Sequence, residues 1–175
     1  MAESKKTIKV ELEVKEIIFD IQNKTHLTGI SRKSEGSKDY EAAANMQASD
    51  DEEHSYQIRR SISNAFAELK VELGEYLTEE GTTTNNRIKQ EVDEDSKLSL
   101  TFTMPSNFNQ SAIDSLGGGL HEYIVSRAIS DWFTITNKAD ASDYDALAKT
   151  ALETARKAFY KRSRPKRPTY TPSHG

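Results

Sequence analysis

Four histidines carry the side chains most often used for proton transfer and metal binding, but their spacing argues against a catalytic site. They are His26, His54, His121 and His174. His121 and Glu122 begin like the zinc motif H-E-x-x-H, but Val125 stands where the second histidine is required. The chain contains no cysteine, which excludes thiolate nucleophiles, thiolate metal ligands and disulfides. We therefore expect no active site, no metal ion and no cofactor, and interpret His121 as a histidine on a helix surface or at an interface.

Three adjacent glycines, Gly117, Gly118 and Gly119, interrupt a stretch that otherwise predicts a helix from about residue 105 to residue 135. Apolar residues recur there at helical spacing: Ile113, Leu116, Leu120, Ile124, Ala128 and Trp132. Each glycine costs a helix interior up to about 1 kcal/mol relative to alanine, so the triplet indicates either a break or very close packing. A phosphate loop is disfavoured, because no Lys-Ser/Thr pair follows and the triplet interrupts a helix instead of opening one. We predict a close-packing or interface site at Gly117, Gly118 and Gly119.

A run of four acids at residues 50–53 precedes a second amphipathic helix. The run lacks the spacing and the glycine of an EF-hand, but it suits the positive end of a helix dipole. Ser49 and Glu52 match a capping box. We predict a helix over residues 50–77 from the apolar stripe that follows: Ile58, Ile62, Phe66, Leu69, Leu73 and Leu77.

The remaining elements are predicted from shorter patterns. Alternating apolar residues indicate a strand near residues 8–14, then a short helix at 15–23 and a long irregular connection at 28–49. A second alternating run predicts the strand that closes a β-hairpin at about residues 86–104. After a break at residues 136–141, Ser142 and Asp145 resemble a capping box for a last helix. Its apolar stripe is Tyr144, Leu147, Ala148, Ala151, Leu152, Ala155 and Phe159.

Together with these patterns, composition predicts one small, mainly α domain with a β-hairpin (α+β) and extended ends. The chain has 175 residues and a net charge of −4, and it contains no apolar run long enough to span a membrane. Without a signal-peptide pattern or cysteine, we expect assembly in a reducing compartment. The predicted units are a strand and short helix at 1–27, a long loop at 28–49, a helical core with the hairpin at 50–160, and an arm at 161–175.

The C-terminal arm, residues 161–175, is the strongest functional signal. Between residues 151 and 175 there are seven basic residues and a single acid, although the whole chain is acidic. Recurring prolines exclude a helix there. The residues expected to bind a partner are Lys161, Arg162, Arg164, Pro165, Lys166, Arg167, Pro168 and Tyr170. Three interpretations stay open: contact with nucleic-acid phosphates, docking on an acidic protein surface, or a solvated terminus. We expect the arm to contribute little to the fold of its own subunit.

The order of these elements resembles the head–tail connector (adaptor) proteins of tailed bacteriophages. The resemblance covers about residues 15–168 and lies in the helix at 56–77, the sequence M-P-S-N-F-N-Q-S-A-I at 104–113, and the stretches 123–133 and 144–156. It is most similar to small neck proteins of phages of gut Bacteroidetes, including the crAss-like group. A T-x-x-T-G segment like residues 25–29 and a C-terminal K-x-x-R-P segment like residues 164–168 are typical of those proteins.

The resemblance implies a helical, connector-like bundle and a structural role in the virion neck. Such a subunit forms a ring, typically twelvefold, on the portal vertex, continues the DNA channel and provides a platform for the tail. Its partners would be further copies of itself, the portal protein and neighbouring neck or tail proteins, after assembly in the host cytoplasm. The C-terminal arm would reach into the portal or the next ring.

A nucleic-acid-binding accessory protein is the alternative interpretation. In that case the basic residues of the C-terminal arm would contact phosphates directly, and affinity would fall steeply with salt. The acidic body and the lack of a recognisable DNA-reading motif disfavour it.

Overall fold

A computed structural model describes residues 5–33, 44–84 and 92–166, without the side chains of residues 32 and 33. The described chain is mostly helical and carries a small antiparallel sheet, so the predicted α+β class is confirmed. Its elements are β1 (Lys6–Glu13), α1 (Val14–Lys33), α2 (Glu52–Glu72), β2 (Leu77–Thr78), β3 (Lys97–Met104), a 3-10 turn (Gln110–Ala112), α3 (Ile113–Thr136) and α4 (Lys138–Phe159). Within these ranges, no helix is both long enough and apolar enough to cross a membrane.

Helix α3 is the centre of the core. Its predicted stripe is buried from Leu116 to Trp132, and the opposite side is buried as well, at positions such as Val125 and Phe133. A helix that is apolar on all sides is expected to be enclosed by other elements. Here α1, α2, α4 and β1 surround it. The indole of Trp132 donates a hydrogen bond to the carbonyl of Met46 at 2.8 Å, which attaches the segment before α2 to this core.

The three described strands are ordered β1-β3-β2, and the first strand of the hairpin predicted at residues 86–104 lies outside the described residues. Strand β3 pairs with β1 in a register that places Val10 opposite Leu100 on the core face. Its other edge is taken by β2 and by Thr83, whose amide donates to the carbonyl of Ser99 at 2.9 Å. An alternating pattern identifies a strand but carries no information about its partner. The weak strand expected around Ile88 falls at residues 85–91, outside the described residues.

Helix α1 is longer than the sequence predicted and continues to Lys33, through the beginning of the expected loop at 28–49. The polar residues Thr25 and Thr28 fit the helix because their hydroxyls donate to backbone carbonyls four residues earlier, at 2.9 Å and 2.8 Å. Thr25 also accepts a hydrogen bond from the amide of Ala48 at 3.1 Å. The sequence predicted an irregular segment here because it is rich in polar residues. These side chains form their hydrogen bonds within the helix itself, and composition does not reveal such bonds.

Both predicted capping boxes are wrong. Helix α2 has Asp51 as its N-cap, while Ser49 donates a side-chain hydrogen bond to Asp51 at 2.7 Å. The helix ends before residue 77, because the chain turns at Leu73 to form β2. Helix α4 begins at Lys138, directly after the single non-helical residue Asn137, so Ser142 lies inside the helix.

The one-residue connection between α3 and α4 makes these helices antiparallel neighbours. The ring of Phe133 contacts that of Tyr144 near the connection, and Gly119 faces Ala151 and Ala155 farther along. The stripe predicted for α4 is buried at its alanines, at Leu152 and at Phe159, whereas Leu147 is exposed.

Candidate functional site

Two of the described histidines contact neighbouring side chains, and His54 Nδ1 lies 2.7 Å from Ser49 Oγ. His121 Nε2 lies 2.7 Å from Asp20 Oδ2 and connects the surfaces of α3 and α1. The ring of His54 packs edge-on against Trp132, with centroids 4.8 Å apart. His26 is exposed, and His174 lies outside the described residues. In the part of the chain that the structure describes, no group of three or more His, Asp or Glu side chains is arranged to hold a metal ion.

Within the chain, the close packing predicted for the glycine triplet is found at Gly119 but not at Gly118. A Cβ atom added to Gly119 would lie 3.1 Å from the carbonyl oxygen of Ala151 and 3.1 Å from the amide nitrogen of Ala155. At Gly118, which is exposed, an added Cβ would meet nothing within 4 Å, and at Gly117 it would make an ordinary 3.8 Å contact with Val10. Helix α3 runs through all three glycines without a break. The steric requirement is therefore a single residue at the α3–α4 contact.

Arg127 lies at the centre of a cluster of ion pairs that joins α2, α3 and α4. Its Nε donates to Glu68 Oε2 at 2.9 Å, and its Nη1 lies 3.4 Å from Asp145 Oδ1 and 3.9 Å from Asp131 Oδ1. Burial raises the pKa of Asp131 above its ordinary value, against the opposing charge of Arg127. Burial also raises the pKa of Tyr123, beside Glu68, to about 12. The cluster links three helices, and the charge of Asp131 is its unfavourable member.

Asp131→Asn should raise the melting temperature at pH 7 by about 1–2 °C. Because the folded-state pKa of Asp131 is raised, the folded protein holds this proton more tightly than the unfolded chain does. The resulting stabilisation is present below the unfolded value, near 3.8, and is lost as the pH rises through the raised folded value. Asparagine does not ionise, so Asp131→Asn avoids the unfavourable charge. Its higher melting temperature should therefore disappear below about pH 4 in melting curves recorded from pH 3 to 7.

Asp145→Asn is the matched control for this measurement. The Asp145 carboxylate pairs with both Arg127 and Lys149, the latter at 2.7 Å, so its loss should lower the melting temperature at pH 7. Equal losses of stability at pH 7 for Asp131→Asn and Asp145→Asn would contradict the assignment of Asp131 as the unfavourable charge.

The first three residues of the C-terminal arm are fixed to their own subunit. The amide of Asn109 donates to the carbonyl of Lys161 at 3.1 Å, and the amide of Ser163 donates to the carbonyl of Asn107 at 2.8 Å. Phe108 and Arg162 face each other between these bonds as an antiparallel bridge. The expectation that residues 161–175 contribute little to the fold is therefore wrong for residues 161–163. The pairing depends on a loop more than fifty positions earlier, which the local sequence does not disclose.

Aromatic side chains support this attachment from the end of α4. Phe159 is fully buried, and its ring stacks on Tyr76 with centroids 4.5 Å apart. Tyr76 donates a 2.8 Å hydrogen bond to the hydroxyl of Tyr160. This bond raises the pKa of Tyr76 to about 12, because ionisation would remove the donated proton.

The residues of the C-terminal arm that leave the body are exposed as far as the structure describes them. Arg164, Pro165 and Lys166 are all exposed. Among residues 164–166, neither basic side chain has an ion pair with the described body. Arg167, Pro168 and Tyr170, also predicted to bind a partner, lie outside the described residues. The arm is thus fixed to the body at residues 161–163, and the part that leaves the body begins at Arg164.

A cleft between α1 and the start of α2 is a feature that the sequence analysis missed; we call it the acidic cleft. It has a volume of about 230 Å³ and is lined by Lys15, Ile18, Phe19, Gln22, Asp50, Ser55, Ile58 and Glu94. Asp50 belongs to the acidic run at residues 50–53, and Glu94 belongs to a second run at 93–95. Phe19 was the available signal, since this aromatic residue stands off the buried stripe of α1 and is 61% exposed.

Comparisons with protein-family models, with curated proteins and with solved structures find no match to this chain.

Proposed function

We propose that this protein is a structural subunit of a ring at the portal vertex of a tailed bacteriophage, where it connects the capsid to the tail. In this role twelve copies surround the channel through which DNA passes. The C-terminal arm attaches each copy to a neighbour, which is a portal subunit or another ring subunit. The chemistry required is stable association between proteins, with no bond made or broken.

The attachment of residues 161–163 is the observation that carries this proposal. A basic segment that leaves the body from a fixed point starts in a defined direction, and so it loses less entropy on binding than a fully free terminus. The exposed Arg164 and Lys166 follow this point directly. A fixed origin with a basic extension supports the docking of the arm on a partner.

The charge distribution supports a protein partner over nucleic acid. The chain carries a net charge of −4 although its end is strongly basic, so a neighbouring body of the same kind is an acidic surface. Exposed ion pairs contribute only about 0.2–1 kcal/mol each. Repetition around a ring compensates for this weakness, because each bound arm raises the effective concentration of the next.

Deleting residues 164–175 should abolish assembly while leaving the subunit folded. The deletion preserves the backbone pairing at residues 161–163, so the helical circular-dichroism spectrum and the melting temperature should stay within about 2 °C of the full chain. Native mass spectrometry of the full chain, alone and with the portal protein of the same virion, should show a ring or a ring-portal complex that the deleted form does not enter.

A triple variant, Lys138→Ser, Lys149→Ser and Lys157→Ser, is the control for loss of charge. It removes three exposed cations from α4 and leaves the C-terminal arm intact, so assembly should persist. Normal assembly of the deleted form would contradict the proposal. Binding of the full chain to duplex DNA, with an affinity that falls steeply with salt and requires the arm, would favour the nucleic-acid alternative.

A further inference from the structure

We infer that the acidic cleft receives the C-terminal arm of a second copy of this chain, so that neighbouring subunits associate head to tail. The inference rests on the proposed ring and names the surface on which its subunits meet. The occupant is residues 164–175, which begin where the arm leaves the body.

The floor of the acidic cleft is apolar and open to solvent. Ile18 and Ile58 are buried beneath it, while Phe19 projects from α1 with most of its surface exposed. An exposed aromatic next to buried aliphatic residues is suited to proline and tyrosine side chains. The C-terminal arm offers three prolines and Tyr170 after Ser163.

The rim of the acidic cleft has the charge opposite to that of the arm. Asp50 and Glu94 line the cleft, and they belong to two acidic runs, residues 50–53 and 93–95, with seven carboxylates between them. Three cations face them: Lys15 lines the cleft, Arg59 pairs with Glu94 at 3.4 Å, and Lys97 pairs with Glu13 at 3.5 Å. Acids remain in excess. The arm supplies Arg164, Lys166 and Arg167 without any acid, so the two surfaces are complementary in both charge and hydrophobicity.

The C-terminal arm and the acidic cleft lie at opposite ends of the sheet. The arm begins beside Phe108, whose carbonyl accepts a 3.3 Å hydrogen bond from Lys6 at the start of β1. The cleft lies beyond the other end of β1, where the amide of Val14 donates to the carbonyl of Ser96. The eight residues of β1 separate these ends by roughly 25 Å. Contact between two different ends of identical subunits is heterologous, and such contacts close into rings when the rotation allows it.

Two complementary variants test this contact. The arm variant lacks residues 164–175 and keeps the acidic cleft. The cleft variant, Phe19→Ser with Asp50→Lys, changes two exposed side chains and keeps the arm. Each variant alone should be monomeric by native mass spectrometry under conditions in which the unmodified chain forms rings. An equimolar mixture should give a one-to-one heterodimer that grows no further, because one functional arm and one functional cleft remain.

The matched control is Val71→Ser with Glu75→Lys, which removes an 81% exposed apolar residue and reverses an exposed acid elsewhere on the body. It should form rings like the unmodified chain. Phe19→Ser alone, expected to weaken ring assembly at least tenfold in concentration, provides a second variant if the double change disturbs the helical spectrum.

Several outcomes would overturn the inference. Rings formed normally by the cleft variant, or a mixture that stays monomeric, would exclude the acidic cleft as the docking site while leaving the ring function standing. Arm-dependent binding to portal protein that survives the cleft changes would assign the arm to a different partner. An unmodified chain that stays monomeric, alone and with portal protein, would instead contradict the proposed ring function itself.

Discussion

Gly119→Leu should destabilise the protein by about 3 kcal/mol, whereas Gly118→Leu should be neutral or stabilising. The two positions are adjacent on α3 but differ in what surrounds them. A side chain at Gly119 would meet the backbone of α4 at 3.1 Å, and backbone atoms of a packed helix cannot move aside as a flexible side chain can. Overpacking of this kind typically costs about 1–3 kcal/mol, and the larger value is expected for leucine against backbone.

The Gly118→Leu variant separates steric packing from helix propensity. Leucine is favoured over glycine in a helix by up to about 0.8 kcal/mol, and nothing lies within 4 Å of the position to oppose it. Urea unfolding of both variants, followed by circular dichroism, measures the difference. Similar stabilities for the two variants would show that α3 and α4 do not approach each other at Gly119 as described.

Phe159→Ala should cost about 3–5 kcal/mol, as expected for the truncation of a fully buried aromatic residue. The ring stacks on Tyr76 and makes an edge contact with Phe102 at 5.0 Å, so its removal leaves a cavity between the end of α4 and the sheet. Its backbone carbonyl accepts a 2.5 Å hydrogen bond from Arg162 Nη1. The same substitution should therefore loosen the attachment of residues 161–163 and weaken ring assembly.

Tyr160→Ala is the control at the neighbouring position. Tyr160 is 65% exposed and is held mainly by its hydrogen bond with Tyr76, so its loss should cost about 1 kcal/mol or less. Denaturant midpoints of the two variants give the comparison, and hydrogen exchange at the amide of Ser163 reports on the arm's attachment. If Phe159→Ala costs no more than Tyr160→Ala, Phe159 does not anchor the end of α4.

Local periodicity in the sequence was enough to identify the main elements. The stripes that predicted α2 and α3 are buried except at Leu77 and Ile113, as are the alternating residues of β1 and β3. The positions buried on one face recur with the period of the helix or strand, so the pattern is visible among residues that are close in the sequence. Strand β3 ends at Met104, directly before Pro105, and Asn109 caps the 3-10 turn. Composition alone also marked the basic C-terminal arm.

The sequence by itself thus predicted most of the helical, extended and basic segments, and only the tertiary structure decided how they meet. Strand β3 pairs with β1, which lies more than eighty residues earlier in the chain. Of the three adjacent glycines in α3, only Gly119 faces the backbone of another helix. Asp50 and Glu94, from two separate acidic runs, line one cleft, and residues 161–163 pair with the loop before α3. Each of these contacts joins residues distant in the chain. Their energies depend on the simultaneous packing of several elements, which no local pattern of residue types encodes.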